Sequence, residues 1–395
     1  MLLLLSLIAT ADFTQFRDPV LGEDVPIAFD LSSGENVAWI AALKGRGLSS
    51  PVVIGDRVVL TYCAGLDQER LGVVCFDDAT GRELWKREFW ATGRTAAHQK
   101  TSNAAPSPAS DGERVFAFWS SGDLVAIALD GTVQWVRGLQ ADYPNASNSL
   151  GMSSSLAYAD GTVVVQLEAD AKAVAFGIDA ENGTNRWVLD NRPTAANWTS
   201  PVVVEAGGRS LALLQSSDGV TAVDAATGSE VWTFDEGAST IPSTAVGSDR
   251  VYVPSGGVAA IDPGTGEVVW KNDKLNLGTA SAIELDGRLY TLNRQGVLTA
   301  ADAATGETLS KERVVGPYSA SPVAAAGRLY LVNEEGVVKV VDVSGDEPEI
   351  VHEAEFGETI LATPAIRGDA MYLRSDGHLW KIAPTEASAE SADAK

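Results

Sequence analysis

Short apolar runs alternate with turn residues along nearly the whole chain, and the same order of runs recurs. A Ser-Pro or Thr-Pro cluster opens each round, as at Ser50-Pro51-Val52-Val53, Ser200-Pro201-Val202-Val203, Ser321-Pro322-Val323 and Thr363-Pro364-Ala365. A turn follows, such as Gly55-Asp56-Arg57 or Asp286-Gly287-Arg288, and then a β-branched or aromatic run such as Val58-Val59-Leu60, Val251-Tyr252-Val253 or Leu329-Tyr330-Leu331. A second turn leads to a third run that ends on Asp, as in Gly219-Val220-Thr221-Ala222-Val223-Asp224. Short β-rich runs broken by turn signals at this spacing predict antiparallel strands joined by hairpins. Helical periodicity is nearly absent.

The most regular part of the repeat is the turn that feeds its last strand. Asp77, Asp179, Asp224, Asp262 and Asp302 are each followed four residues later by Gly81, Gly183, Gly228, Gly266 and Gly306. Eight residues after the Asp stand Trp85, Trp187, Trp232 and Trp270, with Ser310 in the fifth copy. Asp suits such a turn because its carboxylate bonds the turn's own backbone, and Gly supplies positive φ. Trp offers a large apolar face and one N–H, which suits a seam between sheets. Asp130-Gly131-Thr132-Val133-Gln134-Trp135 is a shortened copy, and Asp342 opens a copy with Ser344-Gly345 and no Trp.

Four strands per period, repeated around a ring, define a propeller, with a strand solenoid as the structural alternative. The Asp anchors count seven units. A remainder from Leu361 to Ile382 holds three strands, and Asn36-Val37-Ala38-Trp39-Ile40 resembles the missing Trp strand. The expected fold class is therefore all-β: an eight-bladed β-propeller of four-stranded antiparallel blades, the last closed by an N-terminal strand. Seven blades is the alternative. Residues 35–383 form the ring, 12–34 an arm before it, and 384–395 a disordered Ala, Ser and acid tail.

Residues 1–11 form an apolar stretch too short to span a bilayer. Ala9-x-Ala11 resembles a leader-peptidase site, so the segment reads as a secretion signal, although no basic residues precede the apolar run. A periplasmic or secreted location follows, with no integral membrane segment in the mature chain. The net charge of −24 disfavours nucleic acid and anionic lipid as partners. Cys63 and Cys75 are the only cysteines. A hairpin centred near Glu69 would set them opposite each other, leaving either a disulfide or two buried thiols.

The Ala-x-Asp-x-x-Thr-Gly-x-x-x-Trp pattern, best seen from Ala222 to Trp232, resembles the repeat of pyrroloquinoline-quinone (PQQ) type propellers. Gln15-Phe16-Arg17-Asp18-Pro19, Gly45-Arg46-Gly47-Leu48-Ser49-Ser50 and His98-Gln99-Lys100-Thr101-Ser102-Asn103 resemble segments of secreted bacterial members. The resemblance implies one of two functions. Quinoprotein dehydrogenases carry PQQ and calcium, a disulfide between adjacent cysteines stacked on the quinone, and an Asp base. This chain lacks the adjacent Cys pair. Outer-membrane protein assembly factors of the BamB type have no cofactor and scaffold other proteins. The lipid-anchor Cys of that branch is absent here.

No catalytic constellation stands out in the sequence. His98, His352 and His378 are neither metal-spaced nor near a nucleophile elbow. Ser at the blade starts is expected to bond turn backbone. The polar loops after the first three Trp strands carry the candidate ligand-binding residues: His98, Lys100 and Asn103, then Asn145 and Asn148, then Arg192 and Trp198. With Arg46 and Gly47 they are expected to line one mouth of the channel. The leading expectation is an exported, monomeric, non-catalytic propeller that binds other envelope or secreted proteins or a small ligand without cofactor or metal. The alternatives are a PQQ- and calcium-dependent alcohol or sugar dehydrogenase, and a carbohydrate binder using Trp90, Trp119 and Trp198.

Overall fold

The computed structural model describes residues 11–18, 22–146, 149–167 and 171–385. The expected leader, apart from Ala11, lies outside the described residues, as do Asn148 and residues 386–395 of the expected tail. The strands form eight four-stranded antiparallel sheets. In blade 1 the order from axis to rim is Val52–Ile54, Arg57–Ala64, Arg70–Asp77 and Glu83–Trp90. Blades 2 to 7 repeat this path in chain order. Blade 8 takes Ala365–Arg367, Ala370–Arg374 and His378–Ile382 from the end of the chain and Val37–Ala42 from its beginning. Trp39 lies opposite Lys381 and Ile40 opposite Trp380, so the expected closure is present. One short helical turn, Leu139–Asp142, interrupts the β pattern.

The core lies between blades. Phe116 and Phe118 of blade 2 pack with Val163, Val165 and Phe176 of blade 3 in one cluster, and the other seams are filled in the same way. Two bonding systems tie the wedges together. Toward the rim, each Trp indole donates to a carbonyl in the turn of the next blade: Trp39 to Asp78, Trp85 to Leu129, Trp135 to Ala180, Trp187 to Ala225, Trp232 to Pro263 and Trp270 to Ala303. The ring of each Trp lies directly against the next turn's glycine, where a Cβ on Gly81, Gly131, Gly183, Gly228, Gly266 or Gly306 would come within 3.0 Å of it.

Toward the axis the hydroxyls behave differently from the sequence expectation. They do not cap their own turns; each accepts the backbone N–H of the preceding blade's opening residue. The chain of bonds runs Ser50 to Ser107, Ser107 to Ser155, Ser155 to Ser200, Ser200 to Ser243, Ser243 to Ser281, Ser281 to Ser321 and Ser321 to Thr363. The Ser50 hydroxyl then donates to the Thr363 carbonyl at 2.7 Å and completes the circle. These N–H groups are buried where blades converge, so an unpaired one would be costly.

The arm enters the channel. Phe13 pairs with Val53, the Thr14 carbonyl accepts from Ser110, and Gln15 Oε1 accepts from Tyr158. Arg17 donates to the Thr244 and Ala282 carbonyls on the far side. Burial pushes its guanidinium down to about 10, which leaves it charged at neutral pH. Farther on, Gly22 bridges to Ala325 and Glu23 bonds Gly368.

The cysteine hairpin differs from the expected register. Its strands pair around Asp67, so Cys63 faces Leu71 and Cys75 faces Val59. The thiols are free and buried, and no disulfide joins them. Burial raises both thiols, Cys75 to about 12.

Candidate functional site

The loop after blade 1, the hairpin turns within blades 7 and 8 and the loop between those two blades meet the segment before blade 1 at one mouth of the channel. They enclose a cavity of about 320 Å³ whose polar lining includes Arg46, Lys100, Glu334, Arg374 and Asp376. Leu48, Lys100 and Leu361 also line a narrower axial neck of about 150 Å³, which contains the hydroxyl ring and has Phe16 of the arm in its wall. Mouth and neck are thus contiguous.

Each charged group is held by a neighbour. Arg46 is fixed by a backbone bridge to Cys63 and donates to the Gln99 carbonyl; its Nε lies 3.7 Å from Asp376. The other Asp376 oxygen accepts the Gly47 N–H at 3.1 Å. Lys100 reaches across to blade 7, where its Nζ lies 2.8 and 3.0 Å from the two oxygens of Glu334, and Ser319 donates to the same carboxylate. Arg374 is 1% exposed. Its Nη1 donates to Ser49 Oγ and the Thr61 carbonyl, and its Nε to the Ser375 carbonyl. Its Nη2 has no hydrogen-bond partner among the described residues. Burial lowers this guanidinium to about 10, opposed by the nearby Asp376 carboxylate.

Of the expected ligand-binding residues, the fold brings Arg46 and Lys100 to the mouth and Trp198 to the adjoining neck. Trp198 donates its indole N–H to the Gly151 carbonyl. The others stand elsewhere. His98 is exposed, and its Nδ1 accepts the Lys100 N–H. Asn103 is buried and locks Gln68 to Ser121. Asn145 is exposed on a turn, and Arg192 is buried with Nη2 on the Gln215 carbonyl. Among the aromatics considered for sugar binding, Trp119 is wholly buried and bonded to the Tyr62 carbonyl, so it is a core residue. Trp90 is exposed at the rim.

Sequence reasoning missed Glu334, Arg374 and Asp376. Their signal was present but weak: Arg374 directly follows the second-strand run Met371-Tyr372-Leu373, where blades 5, 6 and 7 carry the uncharged Pro254, Leu292 and Val332. It also missed a cluster beside the mouth. Glu358 accepts from the Ser375 hydroxyl and contacts His378 Nδ1 at 2.5 Å. The carboxylate stands between serine and imidazole, so the trio lacks the serine–imidazole contact of a Ser-His-acid triad.

The residues can be tested against calcium and a quinone. Among the described residues no three His, Cys, Asp or Glu side chains converge as a metal site. The two cysteines are twelve positions apart in sequence and face different partners across the hairpin. The adjacent cysteine pair of the quinoprotein arrangement therefore has no counterpart here.

Comparison with known proteins agrees with the architecture. The sequence matches the family described as outer membrane protein assembly factor BamB over residues 20–151, 70–235 and 254–348. Comparison with curated protein sequences gives no match. Among solved structures, BamB from Moraxella catarrhalis is similar with a TM-score of 0.64 and 18% identity, covering 88% of this chain and 98% of that one. A europium-containing methanol dehydrogenase has a TM-score of 0.71 at 11% identity, covering 88% and 93%. A quinohemoprotein alcohol dehydrogenase from Comamonas testosteroni has a TM-score of 0.65 at 12% identity, covering 91% and 78%. At these identities the structural likeness speaks for the fold alone. The sequence match spans most of the ring, and the chain belongs to the BamB family of PQQ-like β-propellers.

Proposed function

We propose that this chain is an exported, non-catalytic propeller that serves as a binding platform for another envelope or secreted protein or for a small ligand. The observation that supports this most is the braced mouth. Lys100 and Glu334 join loops 234 positions apart in sequence, and Arg46 is braced against Gln99 and Asp376. Rigid, polar loops carried on a closed ring present a preorganised surface, which lowers the ordering cost of binding. The family's description as an assembly factor points the same way.

A photo-crosslinking residue placed at Lys100 tests the platform reading in envelope fractions of the source cells. One discrete adduct from this position, absent from a probe placed at Asn182 on an exposed turn, is the expected result. Equal labelling from both positions would count against it. The dehydrogenase alternative draws on the two enzyme structures of the same fold, although this chain lacks the adjacent cysteine pair. Dye reduction with alcohols after addition of PQQ and calcium is its test, and turnover would overturn the platform reading.

A further inference from the structure

We propose that the mouth cavity is a carboxylate-binding site with the Arg374 guanidinium at its floor, which deepens the platform reading by assigning the chemistry of what the mouth receives. A buried guanidinium is costly unless a counter-charge or a full set of acceptors satisfies it. Arg374 has hydroxyl and carbonyl acceptors for Nη1 and Nε and none for Nη2. Among the described residues no carboxylate lies within ion-pair distance of it. Asp376 is engaged with Gly47 and Arg46, Glu334 with Lys100 and Ser319, and Glu358 with Ser375 and His378.

Gly47 packs directly against the buried guanidinium. A Cβ at this position would stand 2.8 Å from both Nη1 and Nη2. Any other residue would cap the floor of the cavity. The charges lining the cavity are Arg46, Lys100 and Arg374 against Glu334 and Asp376, a surplus of one positive charge in a chain of net charge −24. One surplus charge suits a monoanion, while the two resident carboxylates repel a dianion. The guanidinium fork matches a planar carboxylate. Leu48 and Leu361, shared with the neck, offer an apolar wall for the body of the ligand.

Two sources carry this group: a free small carboxylate, or the carboxyl terminus of a polypeptide. Titration calorimetry at low salt distinguishes them with butyrate, an alanine tetrapeptide with a free C-terminus, its C-terminal amide, and inorganic phosphate. Butyrate or the free tetrapeptide is expected to bind, and the amide and phosphate at least about tenfold more weakly. Binding of butyrate assigns a free carboxylate, and binding of the tetrapeptide alone assigns a chain terminus. Affinity is expected to fall at least about tenfold in Arg374→Met and in Arg46→Gln. The second variant alters a half-exposed side chain and serves if the first fails to fold. No binding of either carboxylate, tighter binding of phosphate, or unchanged affinity in folded Arg46→Gln would overturn the site. Those results would leave a discrete crosslink from Lys100 standing, so failure here is distinct from failure of the platform reading.

Discussion

Gly228 shows why the repeat is so regular at single positions. Its φ is +71°, a region that an L side chain enters at a cost. A Cβ there would also stand 2.5 Å from Trp187 Cγ. Both demands fall on one residue, so Gly228→Ala is expected to destabilise the fold by about 2–4 kcal/mol in denaturant unfolding. The turn acids act by a different route. Thr80 and Thr305 donate side-chain and backbone bonds to Asp77 and Asp302 and hold both carboxyls below the usual range. A folded pKa below the unfolded value of about 3.9 adds stability that is complete above that value and lost as pH falls through the folded one. Denaturation midpoints measured from pH 6 down to pH 3 are therefore expected to decline at the acid end, with a shallower decline in Asp302→Asn. The Asp, Gly and Trp of this device were legible because they sit at fixed spacing. The indole's acceptor was not, because it belongs to the next blade.

At the scale of elements, the inner strands are positioned by hydroxyl-to-amide bonds that run between blades. Ser243 is representative: its Oγ accepts the Ser200 N–H at 3.0 Å, and its own N–H donates to Ser281. Ser243→Ala removes the acceptor and leaves a buried amide unpaired. The expected cost is about 1–3 kcal/mol by chemical denaturation, while Ser248→Ala, whose exposed hydroxyl bonds Glu284, is expected to change little. The sequence marked these serines as recurrent but could not distinguish a bond within a turn from one across a seam. The cysteine hairpin was obscured for a related reason. Its connection, Gly65-Leu66-Asp67-Gln68-Glu69, is five residues long and uses positive φ at both Gly65 and Gln68. No two-residue turn signal fixes the centre of such a loop, and a shift of two positions separates the thiols.

Over the whole molecule, the candidate site and the closure of the ring depend on the same event. Arg46 and Arg374 are far apart in the chain and become neighbours only because Val37–Ala42 completes blade 8. Trp39 could be recognised from its likeness to other Trp strands, so the closure was legible. The partners of Arg46 at the far end of the chain carry no repeat signature and were not. Trp39 is buried, packs on Gly81 and donates to the Asp78 carbonyl, and Asp78 also binds Lys381 and Tyr372. Trp39→Ala therefore loosens the rim contact of blade 8 with blade 1. Its expected cost is about 3–5 kcal/mol in denaturant unfolding, with faster amide exchange along His378–Ile382. Trp90→Ala, which removes an equally large ring from the exposed rim, is expected to stay within about 0.5 kcal/mol of the parent. Equal losses in the two variants would show that ring closure contributes nothing beyond ordinary burial of an aromatic side chain.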